Sequence, residues 1–156
     1  MFESNMAADS KETSIDRGVS DFLRKKGSLE ILVEIGSEGP QRHIDLRDEL
    51  LISSSTIQKR LTGGKEYDLW IVTIESRGNV DAKVYKLTQL GEQIFSAAEE
   101  HDLAKLYKGR RGLIRSIEQR ERKVLIEMAP DDADWLSEIS MEKYEIEMAQ
   151  KFLSQF

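Results

Sequence analysis

The chain has 156 residues, a net charge of −6 and no cysteine. Its length fits one ordinary domain with a helical extension, and its charged fraction of 33% favours a small core with exposed helices over a large enzyme. The absence of cysteine excludes disulfides and thiolate metal sites, and the presence of only two histidines argues against a dedicated zinc site. Because the chain shows neither a bilayer-spanning apolar run nor a signal peptide, we expect a cytoplasmic protein with no membrane partner.

The charge is unevenly distributed along the chain. Residues 105–124 hold eight basic and two acidic residues, a net charge of +6, whereas residues 125–156 hold eight acidic and two basic residues, a net charge of −6. Salt screens exposed charges beyond about 8 Å at physiological ionic strength. An acidic chain can therefore still bind nucleic acid through a local basic face, and the total charge does not decide the matter.

The N-terminal third predicts a polar lead-in followed by two helices. Residues 1–18 are polar and lack periodicity, so we expect them to be disordered. Ser20 and Ser28 are predicted to cap a short helix and a stronger one. The stronger helix has the sequence SLEILVEIGSEG, is almost fully buried and is expected to end at Gly36 or Gly39.

The segment HIDLRDELLISSSTIQKRL, residues 43–61, predicts two short helices joined by a tight turn. Serines at positions 53–55 supply candidate N-caps for the second helix. Ile57 and Leu61 lie four residues apart and form its inner stripe, which leaves polar side chains on the outer face. The following pair Gly63-Gly64 is expected to stop this helix, because each glycine costs up to about 1 kcal/mol inside a helix.

A β-hairpin is predicted directly after the second helix. Residues 69–75, LWIVTIE, alternate and are rich in β-branched side chains, which is typical of a strand. Residues 76–79 have turn chemistry, and residues 82–87, AKVYKL, form the returning strand. Thr88 is then expected to cap another helix.

The remainder of the chain is expected to be helical and highly charged. Gly109 and Gly112 are candidate positions for a break or bend, and residues 129–132 indicate a turn before a further helix. A chain of this length builds only a small core, so amphipathic helices favour self-association. The residues expected to pair two copies of the chain are Trp135, Ile139, Tyr144, Met148 and Phe152.

The basic segment 105–124 is open to three interpretations. It could contact the DNA backbone, it could pair with the acidic segment 131–147 of the same chain or of a partner copy, or it could be a plain solvated surface. The opposite net charges of the two segments favour the pairing interpretation, and the sequence does not exclude the other two.

The order of these elements resembles the winged-helix transcriptional regulators of the MarR, PadR and HxlR kind. The segment at 43–61 and YKLTQLG at 85–91 carry the likeness. The resemblance implies an α+β, mostly α fold, with a winged helix–turn–helix DNA-binding domain at 19–102 and a helical dimerisation extension at 103–156. It implies a sequence-specific regulator that binds double-stranded DNA as a homodimeric repressor, without a cofactor and without enzymatic activity. Any small-molecule effector is unknown.

The resemblance also implies which side chains would contact DNA, since the second helix of such modules enters the major groove. Its serines can donate to phosphates or base edges, its glutamine can pair with an adenine through two hydrogen bonds, and its cations can neutralise phosphates. The residues concerned, including one at the tip of the hairpin, are Ser54, Ser55, Gln58, Lys59, Arg60, Lys65 and Arg77. Two alternatives remain, because fold does not fix function: a winged-helix module that binds proteins, and a chromatin-type protein that binds duplexes without sequence preference.

Overall fold

The computed structural model describes residues 14–135 and residue 138. The chain divides into two compact units with the boundary between Ala104 and Lys105. Its secondary structure elements, in chain order, are α1 (Arg17–Leu23), α2 (Ser28–Glu38), α3 (His43–Glu49), α4 (Ser54–Glu66), β1 (Trp70–Arg77), β2 (Val80–Leu87), α5 (Gln89–Glu100) and α6 (Leu103–Met128). Within this described part of the chain, no helix combines the length and the apolar character that crossing a bilayer requires.

The core of the first unit is formed where α2 and α4 meet the hairpin. Helix α2 is the most deeply buried element, with Ile31 and Leu32 completely shielded from solvent. The buried cluster draws on every element from α1 to β2, and its members are Val19, Phe22, Ile31, Leu32, Ile35, Leu46, Leu50, Ile57, Leu61, Leu69, Trp70 and Leu87. Tyr85 and Phe95 pack against its edge. This core fixes α4 by its inner side.

The first two helices begin differently from the sequence prediction. Helix α1 begins at Arg17 because Asp16 caps it, with the backbone N–H of Val19 donating to the Asp16 carboxylate at 2.8 Å. The predicted cap at Ser20 is therefore wrong, as is a lead-in reaching residue 18. Helix α2 has Ser28 as its first residue, so the predicted cap there is also wrong. Gly27 occupies the cap position with a φ of 85°, a left-handed conformation that suits glycine.

Helix α4 corrects the prediction that Gly63-Gly64 stops it, since it continues to Glu66. A Cβ atom at Gly63 would lie 2.5 Å from Cε1 of Phe22, and one at Gly64 would overlap the ring of Trp70. The two glycines therefore let two aromatic rings pack against the helix backbone. This tertiary packing outweighs the low helix propensity of glycine, which destabilises a helix by at most about 1 kcal/mol per residue relative to alanine.

The hairpin pairs β1 and β2 in antiparallel register from Trp70 opposite Leu87 to Arg77 opposite Val80. Its turn consists of the two residues 78–79 and is shorter than predicted, because residues 76 and 77 belong to β1. Gly78 has a φ of 66°, and glycine at the first central position suits a two-residue hairpin turn. An isolated bridge between residue 41 and residue 85 extends the sheet on its other edge.

Two predictions after the hairpin are confirmed and one is corrected. Thr88 caps α5, accepting a hydrogen bond from the backbone N–H of Gly91 at 3.1 Å. A turn follows α6, where the N–H of Ala133 donates to the carbonyl of Pro130 at 3.0 Å. In contrast, Gly109 does not break α6, which runs as one helix of 26 residues.

Candidate nucleic-acid interface

The turn between α3 and α4 is held from both sides. Ser53 is the N-cap of α4, because its hydroxyl accepts a hydrogen bond from the N–H of Thr56 at 3.2 Å. It is one of the three serines that the sequence offered as candidate caps. Nε2 of His43 lies 3.3 Å from the carbonyl oxygen of Ser54. The first residue of α3 thereby contacts the first turn of α4, and the two helices form a helix–turn–helix pair of fixed geometry.

A local ion pair fixes the beginning of α3. The carboxylate of Asp45 accepts the backbone N–H of Arg42 at 3.0 Å and binds the Arg42 guanidinium at 2.9 and 3.2 Å. The side-chain hydrogen bond to Asp45, followed by the attraction of its charge, raises the pKa of Arg42 above its ordinary value. Because this guanidinium already binds the Asp45 carboxylate, Arg42 is not a candidate for a phosphate contact.

Helix α4 has a buried inner side and an exposed polar outer side. Ile57 and Leu61 are completely buried, and Gly64 lies against Trp70 on the same side. The indole Nε1 of Trp70 donates to the carbonyl of Leu61 at 2.9 Å, which ties the helix to β1. The exposed residues of α4 are Ser54, Ser55, Gln58, Lys59, Thr62, Lys65 and Glu66. We call this set the outer face of α4.

Gln58 and Thr62 stand side by side on the outer face of α4. The Thr62 hydroxyl donates to the backbone carbonyl of Gln58 at 3.0 Å, while the Gln58 amide nitrogen lies 3.5 Å from the same hydroxyl. The longer distance is at the limit of a hydrogen bond, so the carboxamide of Gln58 is only weakly held. Sequence reasoning missed Thr62, although its spacing of four from Gln58 placed both on one helical face.

Arg60 has a different environment from the other predicted contacts. It is half-buried, and its Nε donates to the backbone carbonyl of Lys26 at 2.8 Å. This bond joins α4 to the loop between α1 and α2. A phosphate contact by Arg60 would therefore have to come from its terminal nitrogens.

Lys65 and Arg77 lie farther along the domain. Lys65 is exposed in the last turn of α4, beyond the helix end that the sequence predicted at Gly63-Gly64. Arg77 is the last residue of β1, opposite Val80 and next to the hairpin turn. The outer face also includes Glu66, whose carboxylate would repel a phosphate, so the favourable charge is concentrated toward Lys59.

Helix α6 reverses the usual distribution of polar and apolar side chains. Leu113 and Val124 are 62% and 57% exposed, whereas Ser116 and Gln119 are buried. Besides Leu125 and Ile126, which are exposed elsewhere on the helix, five exposed apolar residues of α6 recur at spacings of seven and four and therefore share one side of the helix. We call them the apolar stripe of α6, and they are Leu106, Leu113, Ile117, Val124 and Met128.

The structure bears on only part of the predicted dimerisation set and of the basic segment. Trp135 is exposed, while Ile139, Tyr144, Met148 and Phe152 lie outside the described residues.

In the basic segment, Arg111 is 1% exposed, so the interpretation as a plain solvated surface is wrong at that residue. Arg110 lies 5.2 Å from the centre of the Tyr107 ring, within the range of a cation–π contact.

A helix–turn–helix pair followed by a two-stranded hairpin and a further helix defines a winged helix–turn–helix domain, which confirms the predicted fold class. The second helix of the pair is α4, and the wing is the β1–β2 hairpin. The assignment follows from the order of the elements and from the contacts that hold them together.

Comparison with known proteins adds two solved structures. No protein-family model matches the chain, and no curated protein matches it. A MarR family transcriptional regulator from Listeria monocytogenes, solved with a 26mer DNA, is 17% identical, with a TM-score of 0.45 over 98% of this chain and 91% of that chain. The adhesin competence repressor from Streptococcus pyogenes is 17% identical, with a TM-score of 0.43 over 99% of this chain and 89% of that chain. Similarity at this level adds no argument about function.

Proposed function

We propose that this chain is a sequence-specific regulator of transcription that binds double-stranded DNA as a homodimer and represses by occupying a promoter. The observation that carries the proposal is the two-sided character of α4. Ile57 and Leu61 anchor its inner side in the core, while Gln58, Lys59 and Thr62 stand exposed on its outer face. A rigidly held helix with an open polar side is what docking into a groove requires.

The dimensions of α4 fit the major groove. A helix with its side chains is about 10–12 Å across, and the major groove of B-DNA is about 12 Å wide. The weakly held carboxamide of Gln58 can turn to an adenine edge and form two hydrogen bonds, and the neighbouring Thr62 can contact a base edge or a thymine methyl group. We assign the direct reading of bases to these two residues.

The cations of α4 supply affinity without sequence preference. Lys59 and Lys65 are exposed and can each neutralise a phosphate, which releases counterions and makes binding dependent on salt. The hydroxyls of Ser54 and Ser55 at the beginning of the helix can donate to phosphate oxygens. Arg77, at the tip of the hairpin, is assigned to the DNA backbone or the minor groove beside it.

Dimerisation is supported by the apolar stripe of α6. Five large apolar side chains lie exposed along one side of a 26-residue helix, and exposed apolar side chains grouped on one face favour association. A second copy can cover the stripe through the same side of its own α6, because a two-fold interface uses one surface twice. The predicted dimerisation set within residues 131–156 remains part of this proposal. Two copies would present two α4 helices to successive turns of DNA, about 34 Å apart.

An electrophoretic shift assay on random and selected duplexes tests the proposal. Sequence-selective binding that weakens steeply with salt supports it. Salt-sensitive binding without any preference would replace it with a chromatin-type role. No binding at low salt would overturn it and leave the protein-interaction module as the remaining interpretation. A promoter-reporter assay with the selected site then tests repression, which requires that reporter output fall when the protein is present.

A further inference from the structure

We propose that the loop between α1 and α2 is a second contact with the DNA backbone, formed by Arg24, Lys25 and Lys26. This inference rests on the proposed function and extends it from the helix–turn–helix pair to a loop outside the two segments, 43–61 and 85–91, that carry the sequence resemblance. We call these three residues the cationic loop. All three are exposed.

The cationic loop is fixed to α4. Nε of Arg60 in α4 donates to the carbonyl of Lys26 at 2.8 Å, across 34 positions of sequence. Next to Lys26, Gly27 has a φ of 85°, and a Cβ atom there would lie 2.8 Å from Cδ1 of Ile52 in the turn between α3 and α4. The loop therefore packs against both the helix and the turn that would face DNA.

The helix before the loop is held in the same place. The ring of Phe22, in the last turn of α1, lies 5.4 Å from the ring of Tyr67 and 6.2 Å from that of Trp70. It also rests on the backbone of α4 at Gly63. Because α1 and the loop are both fastened to α4, the three cations keep a constant position relative to its outer face.

The charges of the cationic loop are not used within the domain. Among the residues that the structure describes, other arginines are paired with carboxylates, namely Arg17 with Asp21, Arg42 with Asp45 and Arg47 with Asp48. Within the same described part of the chain, none of the three loop cations has a carboxylate within ion-pair distance. Three adjacent like charges repel one another, so a polyanion placed beside them is favoured.

The position of the loop matches one border of the groove that α4 would occupy. Arg60 and Gly63 mark the side of α4 next to the loop and α1, and Lys59 lies between that side and the outer face. A helix seated in the major groove has a phosphate backbone along each border. The cations thus continue from Lys59 past Arg60 to the loop, in the direction of one of those backbones.

The test measures duplex binding across a salt series for the full chain and for its K25Q/K26Q variant. We expect the variant to bind selected and random duplexes more weakly by the same factor, with its preferred sequence unchanged. The slope of log K against log salt should become shallower by about 0.9 for each phosphate contact removed. R17Q is the matched control, since it removes an exposed cation at the other end of α1, and its slope should equal that of the unchanged chain.

The possible outcomes distinguish a failure of this inference from a failure of the proposed function. If the unchanged chain binds DNA and K25Q/K26Q has the same slope and affinity, the cationic loop is not a DNA contact while the regulator proposal stands. A change of base preference in the variant would likewise overturn the inference, because backbone contacts carry no sequence information. If the unchanged chain does not bind duplex DNA at low salt, both proposals fail together.

Discussion

The indole ring of Trp70 lies so close to Gly64 that a Cβ atom on this glycine would overlap the ring. The same indole donates a hydrogen bond to the carbonyl of Leu61, one turn earlier in α4. These contacts fix the distance and rotation of α4 relative to the β1–β2 hairpin. They also explain why a helix with two consecutive glycines persists to Glu66.

Replacing Gly64 with alanine should destabilise the domain. Alanine is favoured over glycine in a helix by up to about 1 kcal/mol, but forcing Trp70 away is an overpacking change that costs about 1–3 kcal/mol. We expect a net loss in the free energy of unfolding, measured by urea denaturation followed by circular dichroism. The control is Gly109→Ala in α6, where a Cβ atom meets nothing within 4 Å and should stabilise its helix. A more stable Gly64→Ala variant would show that the Trp70 contact does not constrain this helix.

Replacing Gln58 with alanine should relax base reading at one position of the DNA site. Removing a bidentate contact to adenine should reduce discrimination there by about 1–3 kcal/mol. Lys59→Ala is the comparison, because a phosphate contact is shared by every sequence and its loss should weaken all duplexes alike. Affinities for a panel of single-base variants of the selected site measure both effects. Uniform losses across the panel for both variants would mean that Gln58 does not read a base.

Placing a charge on the apolar stripe of α6 should separate the proposed homodimer. Ile117→Glu puts a carboxylate among exposed apolar side chains that a second copy would cover, and burying an unpaired charge is costly. Light scattering should then report a monomer. Lys123→Glu, at an exposed position off the stripe, is the control and should remain dimeric.

A second arm of the same measurement addresses the residues after α6. Truncation before Ala129 removes the predicted contacts from Trp135 to Phe152 and should also produce a monomer. A truncated chain that stays dimeric would assign the interface to α6 alone. If the full-length chain is itself monomeric at micromolar concentration, the homodimer must be abandoned.

Arg60 should act on DNA binding through the loop that it holds. Arg60→Lys keeps the positive charge but lacks the guanidinium Nε–H that donates to Lys26. We expect a shallower salt slope than in the unchanged chain, and little further effect when K25Q/K26Q is added. This lack of additivity is measured by a double-mutant cycle. Fully additive losses would indicate that Arg60 and the loop contact DNA independently.

Several features that local signals determine can be predicted from the sequence, although the caps predicted at Ser20 and Ser28 are wrong. A serine cap within residues 53–55, the two alternating strands and the threonine cap at 88 each depend on neighbours within a few residues, and the structure confirms them, with Ser53 as the cap. Together with the inner stripe at Ile57 and Leu61, they give the order of elements on which the resemblance to winged-helix regulators, and with it the predicted fold class, was based.

The features that could not be predicted depend on contacts between distant parts of the chain. Local propensity makes Gly63-Gly64 a helix end, and only the packing of Phe22 and Trp70 reverses that interpretation. The bond from Arg60 to Lys26 spans 34 positions, so no local pattern reveals that the loop lies beside α4. Likewise, the periodicity of the α6 stripe is visible in the sequence, whereas its exposure is not.

The central claim is that the outer face of α4 reads base pairs, and selection of preferred duplexes from a random pool tests it most directly. We expect the unchanged chain to enrich one defined site, with two related halves about 10–10.5 base pairs apart, and the Gln58→Ala variant to lose preference at one position of each half. A pool that stays random after repeated rounds, although the protein retains duplexes in every round, would contradict the claim.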